Sequence, residues 1–111
     1  MFLRIPLVLI AFASGMSIIG PACAQEAYVI VIKENRMNPA ELQIPAGQKV
    51  KLVVDNQDPT PEEFESYTLN REKIIPGNSK ATIFIGPLKP GIYEFFGDFH
   101  QETAQGRIIA R

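Results

Sequence analysis

The chain has 111 residues, with 11 Lys and Arg, 12 Asp and Glu, and a formal net charge of −1 at pH 7. This near balance offers no basic footprint for nucleic acid, so we expect no nucleic-acid partner. The length suits one small domain, and because Cys23 is the only cysteine, its stability must come from an apolar core rather than from disulfides.

The start of the chain has the pattern of an export signal. One positive charge at Arg4 precedes an apolar run over residues 5–20, and small residues at 22–24 fit a signal-peptidase site. The run is shorter than a comfortable membrane span, which favours cleavage after Ala24 over a permanent anchor. We therefore expect residues 1–24 to be a signal peptide. The periplasmic protein would then have one domain, residues 25–111, without a thiolate.

Six segments of this domain have the composition of β-strands. They are rich in β-branched and aromatic residues, and most alternate apolar and polar side chains. Within the third segment, alternation sends Phe64 into the core and Glu63 and Glu65 to the opposite face. In chain order the segments are AYVIVIKE (27–34), VKLVVDN (50–56), EEFESYTL (62–69), KATIFIG (80–86), GIYEFFGDF (91–99) and GRIIAR (106–111).

Turn-forming Pro and Gly residues separate these segments, and no window shows sustained helical periodicity. Short strands with turn signals every ~8–12 residues are typical of a sandwich. There is no internal repeat, linker or low-complexity segment. The sequence therefore predicts a single all-β domain, a β-sandwich with Greek-key connections.

Several stretches resemble the cupredoxin family. They are MNPAELQIPAGQKVKLVVDNQD (37–58), IIPGNS (74–79), KPGIYEF (89–95) and the loop that contains His100, and they follow the family's order. The resemblance covers nearly all of residues 27–111. It implies a cupredoxin-like Greek-key β-sandwich.

The same resemblance indicates where copper ligands would fall. Type 1 copper relatives use an upstream His and a Cys-x₂-His-x₄-Met pattern, because a thiolate with two imidazoles suits copper electron transfer. On this chain the last-loop pattern falls on Gly97, His100 and Gln105, and the upstream His falls near Glu62. Gln can serve as a weak axial ligand. Glycine has no side chain that could coordinate, so we expect no type 1 copper site.

The chain is more similar still to a divergent branch of small exported proteins associated with bacterial high-affinity iron permeases. The likeness lies in EEFES (62–66), LNREKIIPG (69–77) and YEFFGDFHQETAQG (93–106). It implies an accessory role in iron uptake, beside the permease or another periplasmic uptake protein. Contact with the membrane would then be only through that partner.

The expected fold brings loops 56–63 and 97–105 to one end of the sandwich and predicts a metal site there. Clustered carboxylates repel one another, and a cation relieves that repulsion. Carboxylates with one imidazole would accept iron or Mn(II), and Cu(II) through the imidazole, whereas a thioether beneath them would favour copper. The candidate ligands are His100, Glu62, Glu63, Met37, Asp98 and Glu102.

Each candidate also has a simpler explanation. His100 can be an exposed imidazole bonded to a backbone carbonyl or to Asp98, and the glutamates can be solubilising charges. Met37 stands at the family's aromatic position, which favours core packing. The segment around Arg71 and Lys73 is either a solvated turn or a docking patch.

The aromatic residues before His100 have two interpretations. Tyr93, Phe95 and Phe99 are expected in the core rather than in a ligand cage. Phe95, Phe96 and Phe99 would otherwise form an aromatic wall that limits water beside the site.

Three functions stay open at this point. The first is a metal-binding accessory protein that handles iron or copper beside an iron permease. The second is enzymatic, a ferrous-iron oxidase component that would need a bound metal and a redox partner. The third is a metal-free docking module. Hydrolase, kinase and dithiol motifs are absent from the sequence.

Overall fold

The computed structural model of the protein describes residue 3 and residues 27–111. The predicted signal peptide, residues 1–24 with cleavage after Ala24, lies outside the described residues except for Leu3. Residues 27–111 form nine strands and one short 3₁₀ helix. These are β1 Ala27–Lys33, β2 Arg36–Asn38, β3 Glu41–Ile44, β4 Val50–Asn56, β5 Glu62–Ser66, β6 Arg71–Ile75, β7 Ser79–Ile85, β8 Gly91–Gly97, the 3₁₀ helix Asp98–His100 and β9 Gln105–Ala110.

The strands form two sheets. Sheet A has four strands in the order β2-β1-β4-β7, and sheet B has five in the order β3-β9-β8-β5-β6. The pairs β1–β4 and β3–β9 are parallel, and the other pairs are antiparallel. The predicted all-β sandwich is confirmed. No helix within the described residues is long and apolar enough to cross a membrane.

Side-chain alternation builds the core between the sheets. In β4, Val50, Leu52 and Val54 are buried and the residues between them are half-buried, because successive side chains of a strand point to opposite faces. Phe64 of β5 is fully buried, as predicted, and its ring stacks on that of Phe95 in β8 with 5.3 Å between centroids. Burial of each such large side chain contributes about 1.5–3 kcal/mol of stability.

Two predicted strands end earlier than expected. The segment 62–69 leaves the sheet at Ser66, whose hydroxyl donates to Glu94 O (2.6 Å) and accepts from Leu69 N (3.2 Å), which turns the chain. The segment 91–99 ends at Gly97 and continues as the 3₁₀ helix. His100 therefore lies just beyond sheet B.

Of the two interpretations of the segment around Arg71 and Lys73, the turn is wrong and the docking patch stays a prediction. Both residues belong to β6, the edge strand of sheet B. Three charged residues begin this strand, and charge on an edge strand discourages pairing with another chain. The sequence segment has no strand composition, so β6 depends on pairing with β5 rather than on its own propensity.

Candidate metal centre

Loop 57–61 is fixed at the end of the sandwich by Asn56, the last residue of β4. This side chain is fully buried, and its Nδ2 donates to Thr60 O at 2.9 Å, Ile75 O at 3.1 Å and Pro76 O at 3.2 Å. One amide thus ties the loop before β5 to the end of β6. It also sets where β5 starts, which places Glu62.

Glu62 and His100 form a pair in which the carboxylate is buried and the imidazole is half-buried. His100 Nδ1 lies 2.5 Å from Glu62 Oε2, and the Glu62 side chain is only 2% exposed. Glu62 Oε1 accepts hydrogen bonds from Phe99 N at 2.9 Å and Glu63 N at 3.0 Å. The carboxylate is therefore fully bonded, and the imidazole atom that faces it is already engaged.

Gly97 explains why this carboxylate fits. A Cβ atom at position 97 would lie 2.6 Å from Glu62 Cδ, 2.9 Å from Glu62 Oε1 and 2.8 Å from Ala104 Cβ. These distances are far below van der Waals contact. Only a residue without a side chain leaves the volume that Glu62 fills.

The loop that carries His100 is closed by backbone hydrogen bonds. Ala104 N donates to His100 O at 2.8 Å, and Gly97 N donates to Ala104 O at 2.8 Å. Thr103 Oγ1 also donates to Asn35 O at 2.6 Å, in the turn between β1 and β2. These bonds hold the 98–104 loop in place, and Glu62 binds the imidazole of His100 within it.

A second group of carboxylates lies on the outer face of sheet B. Glu63, Glu65 and Glu72 each have a carboxylate oxygen within 4.8 Å of the others. Glu65 and Glu72 face each other across β5 and β6, and Glu63 is two residues along β5 on the same face. We call these three residues the carboxylate cluster.

Glu63 is the unusual member of the cluster. The residue is 8% exposed, and no N–H group of the described residues donates to its carboxylate. Burial raises the pKa of Glu63 from 4.5 to about 7, with further contributions from hydrogen bonding and charge at Glu72, from the charge of Asp98 and from hydrogen bonding to Glu65. Near neutral pH this carboxyl therefore still holds a proton for part of the time.

The family model for the cupredoxin-like domain matches residues 5–110 of the chain. The chain belongs to the cupredoxin-like domain family. It is 50% identical over 80 residues to an uncharacterized protein of Rickettsia prowazekii (strain Madrid E), a match that covers 72% of this chain and 64% of that protein. The chain thus spans less than two thirds of this relative's length.

Solved structures share the cupredoxin-like fold at low identity. Auracyanin A, a blue copper protein of Chloroflexus aurantiacus, is 15% identical, with a TM-score of 0.67 over 78% of this chain and 98% of its own. The metal-binding domain of the Cu(I)-exporting P-type ATPase CopA of Streptococcus pneumoniae D39 is 17% identical. Its TM-score is 0.64, over 77% of this chain and 84% of its own. At such identities the likeness shows the fold alone.

This cupredoxin-like domain distributes the six predicted ligands over several places. Glu62 and His100 contact each other, and Glu63 joins the carboxylate cluster. Asp98 is half-buried, affects Glu63 through its charge and accepts a hydrogen bond from Gln101 Nε2 at 2.7 Å. The near burial of Glu62 and Glu63 excludes the simpler explanation that they are ordinary solubilising charges.

The other two predicted ligands lie apart from these groups. Met37 is 4% exposed in β2 and belongs to the hydrophobic core, the packing expected from its position in the sequence. Glu102 is exposed on the 98–104 loop. Their role as metal ligands stays a prediction.

The positions of the aromatic residues before His100 match neither interpretation in full. Phe95 is buried, as expected, but Phe99 is 47% exposed, so its placement in the core is wrong. The 3₁₀ helix rotates Phe99 outward while its backbone N–H donates to Glu62. Phe96 packs instead against Tyr67, with 5.4 Å between ring centroids, so these three rings do not form one wall.

Sequence reasoning missed Glu65 and Glu72 as members of the carboxylate cluster. The alternation that puts Glu63 and Glu65 on one face of β5 is a usable signal. Glu72 needs the register of β6 against β5, which pairs Glu65 with Glu72. A turn at residues 71–73, one of the two interpretations of the sequence, gives no such register.

Proposed function

We propose that this chain is an exported, metal-binding accessory protein of iron uptake that holds a hard cation at the carboxylate cluster. It would present iron to, or receive iron from, an iron permease or another periplasmic uptake protein. The cupredoxin-like fold, the export pattern of residues 1–24 and the resemblance to permease-associated proteins support this role. The observation that carries the proposal is the convergence of Glu63, Glu65 and Glu72 within 4.8 Å.

The burial of Glu63 turns this cluster into more than a surface of acidic charge. Its carboxylate receives no N–H donor from the described residues, is surrounded by like charge and keeps a proton up to about pH 7. A cation that replaces this proton would relieve the repulsion between the carboxylates. Cation binding to the cluster is therefore favourable, and it should release the proton of Glu63.

The donor set indicates which cations fit. Three carboxylates are hard oxygen ligands, which suit Mn(II) and iron in preference to Cu(I). Asp98 and His100 belong to the 3₁₀ helix that directly follows β8 in sheet B. The Nδ1 atom of His100 is, however, already bonded to Glu62. Iron would be the cargo of this protein rather than a resident cofactor, so weak, exchangeable binding suits the role better than a closed site.

The proposal includes the absence of a type 1 copper centre. The thiolate of such a centre would have to lie at position 97, where the carboxyl of Glu62 leaves no room even for a Cβ atom. The His100 nitrogen that faces the former ligand position is bonded to the same carboxyl. The residues present therefore do not fit copper in the arrangement used by blue copper relatives.

Metal titration of the protein from Gln25 onward tests the proposal. Mn(II), Fe(II) under argon and Cu(II) would be titrated by calorimetry into the wild type, Glu63→Gln with Glu72→Gln, and Glu94→Gln. Glu94 is an exposed carboxylate on the outer face of sheet B outside the cluster, so its variant controls for general acidity. We expect micromolar binding of Mn(II) and Fe(II), weakened at least tenfold by the cluster variant and unchanged by the control.

A cellular experiment tests the link to iron uptake. Cells that lack the protein would be complemented with the wild type or with the cluster variant, and uptake of labelled iron would be measured at low external iron. We expect uptake to be restored by the wild type only. Equal restoration by both proteins would show that the role in iron uptake does not depend on the carboxylate cluster.

A metal-free docking module is the second candidate, and the Glu62–His100 pair favours it. That pair fills the former ligand position with a contact between two side chains of the protein, so the fold needs no ion there. Failure of all three ions to bind would support this candidate and reject the metal-binding role. Oxidation of Fe(II) above its spontaneous rate would instead support the oxidase alternative.

A further inference from the structure

The outer face of sheet A combines basic and apolar residues. Burial of Ile30 and Ile32 in β1 means that Val29, Val31 and Lys33 point outward. Strand pairing adds the residues opposite them. Together the outward residues are Ala27, Val29, Val31, Lys33, Arg36, Asn38, Lys51, Val53, Asp55, Lys80, Thr82 and Phe84.

Positive charge dominates this face. It carries Lys33, Arg36, Lys51 and Lys80 against Asp55 alone. No ion pair within residues 27–111 involves these four cations. We call this surface the basic face.

An apolar strip runs through the middle of the basic face. Val29 and Val53 pair directly across β1 and β4, and Phe84 lies on the neighbouring strand β7. Val29 is 43% exposed and Phe84 is 45% exposed, so both can contact another surface. The Nζ of Lys49 lies 4.8 Å above the Phe84 ring, so positive charge also borders the strip at this end.

The outer face of sheet B has the opposite charge. It carries the carboxylate cluster and Glu94, and its exposed Arg107 is paired with Glu41 at 2.8 Å. The two outer faces of the sandwich are therefore basic and acidic, although the chain as a whole is nearly neutral. A molecule with this charge separation takes one orientation at a charged surface.

We propose that the basic face docks directly on an anionic phospholipid membrane, in place of the contact through a partner alone that the family resemblance implies. Lysine and arginine side chains around the rim would contact lipid phosphates, and the apolar strip would reach the interface between headgroups and acyl chains. The acidic face would be repelled and point away, with the carboxylate cluster open to solution. The inference is independent of the metal site, because it concerns the other sheet.

Charge complementarity favours lipid over a second copy of the chain. The basic face has its charges around an apolar centre, and mobile headgroups can adapt to such a rim. The acidic face has no matching layout, because Glu63 is buried and Tyr67 is 77% exposed on that side. Stacking of one copy on another would also leave unsatisfied ends and build open-ended assemblies.

Vesicle co-sedimentation tests the proposal with the protein from Gln25 onward, which contains both sheets and the whole core. The vesicles would be pure phosphatidylcholine or an equimolar mixture of phosphatidylcholine and phosphatidylglycerol. We expect binding to the anionic vesicles only, and loss of that binding near 1 M salt, where the Debye length is only about 3 Å. Binding to both kinds of vesicle, or to neither, would reject the proposal.

Two charge-reversal variants locate the contact. Lys33→Glu with Arg36→Glu reverses two cations of the basic face, and because these residues face each other, the strand pair keeps like charges. Lys73→Glu with Lys89→Glu makes the same change in net charge at exposed positions outside this face. We expect roughly tenfold or greater loss of vesicle binding in the first variant and little change in the second.

Matching thermal midpoints would show that both variants fold. Equal loss of binding in the two variants would contradict a specific face and indicate an effect of net charge. Sedimentation velocity adds one more outcome. Self-association of the wild type that Lys33→Glu with Arg36→Glu abolishes, without vesicle binding, would overturn the lipid proposal and assign the face to contact between copies.

Discussion

Gly97 and Glu62 share one small volume, and this has a direct consequence for stability. A Cβ atom at position 97 would lie 2.6 Å from Glu62 Cδ and 2.8 Å from Ala104 Cβ. We expect Gly97→Ala to lower the free energy of unfolding by about 1–3 kcal/mol through overpacking, measured by urea denaturation. The loss should shrink in a Glu62→Ala background, because the two sites are in contact. Additive losses would contradict the shared volume.

The same two residues decide whether copper can bind. Gly97→Cys with Glu62→His would place a thiolate and a second imidazole beside His100, the donor set that suits type 1 copper. We expect this double variant to give an intense visible absorption with Cu(II). Gly97→Cys alone should not, because the Glu62 carboxyl still occupies the position. The same absorption from the single variant would show that Glu62 does not block the site.

Glu63 gives the stability of the metal-free protein a pH dependence of predictable sign. Burial and the neighbouring carboxyls raise its pKa from 4.5 to about 7 on folding. Between these values the folded protein holds a proton that the unfolded chain has released. The free energy of unfolding therefore falls as pH rises through this window. Unfolding would be measured over the window with a chelator present, for wild type and Glu63→Gln.

The difference between these two proteins isolates Glu63 from the other carboxyls. The wild type should lose stability relative to the variant from about pH 4.5 to about 7 and run parallel to it above that range. Parallel curves through the whole window would mean that Glu63 has an ordinary pKa.

Residue identity alone predicted some of this chemistry and not the rest. The glycine at position 97 excluded a side-chain ligand directly from the sequence. The expected fold brought Glu62 and His100 to the same end of the sandwich, 38 positions apart in the chain. Their direct contact was not predicted, because strand alternation says nothing about which side chains of two neighbouring loops bond each other.

At the scale of elements, one amide joins two loops. Asn56 Nδ2 donates to Thr60, Ile75 and Pro76 carbonyls in a buried environment. Asn56→Ala leaves these acceptors without their donor, and we expect a loss of about 2–4 kcal/mol. Hydrogen exchange should increase in residues 57–61 and 76–78. The exposed neighbour Gln57→Ala is the control, and equal exchange in both variants would contradict the anchoring role.

Strand length and burial explain which elements the sequence predicted. Strands β1, β4, β7 and β8 each have seven residues. A strand of that length is long enough for the alternation of core-facing and outward residues to be recognised in the sequence. Strands β2 and β3 have three and four residues, too few for a period. Strand β6 carries exposed residues at four of its five positions, so no apolar row marks it. Strands β2 and β3 form through pairing with the longer strands β1 and β9, and β6 forms through pairing with β5, which has the same length.

At the scale of the whole molecule, folding is what brings the carboxylate cluster together. Glu63 and Glu65 come from β5 and Glu72 from the edge strand β6. In the unfolded chain nothing holds the three carboxylates within the 4.8 Å that separates them in the folded protein. The sequence could predict acidic residues near this end of the sandwich, but the carboxylate cluster depends on the register of the two strands.

This dependence on folding gives a thermodynamic test of cation binding. A ligand that binds only the folded protein stabilises it, by about 2.7 kcal/mol at a free concentration one hundred times its Kd. We therefore expect Mn(II) to raise the thermal midpoint of the wild type in a concentration-dependent manner, measured by calorimetry. Glu63→Gln with Glu72→Gln should show no such rise, whereas Glu94→Gln should behave like the wild type. A rise of equal size in all three proteins would place the cation outside the cluster.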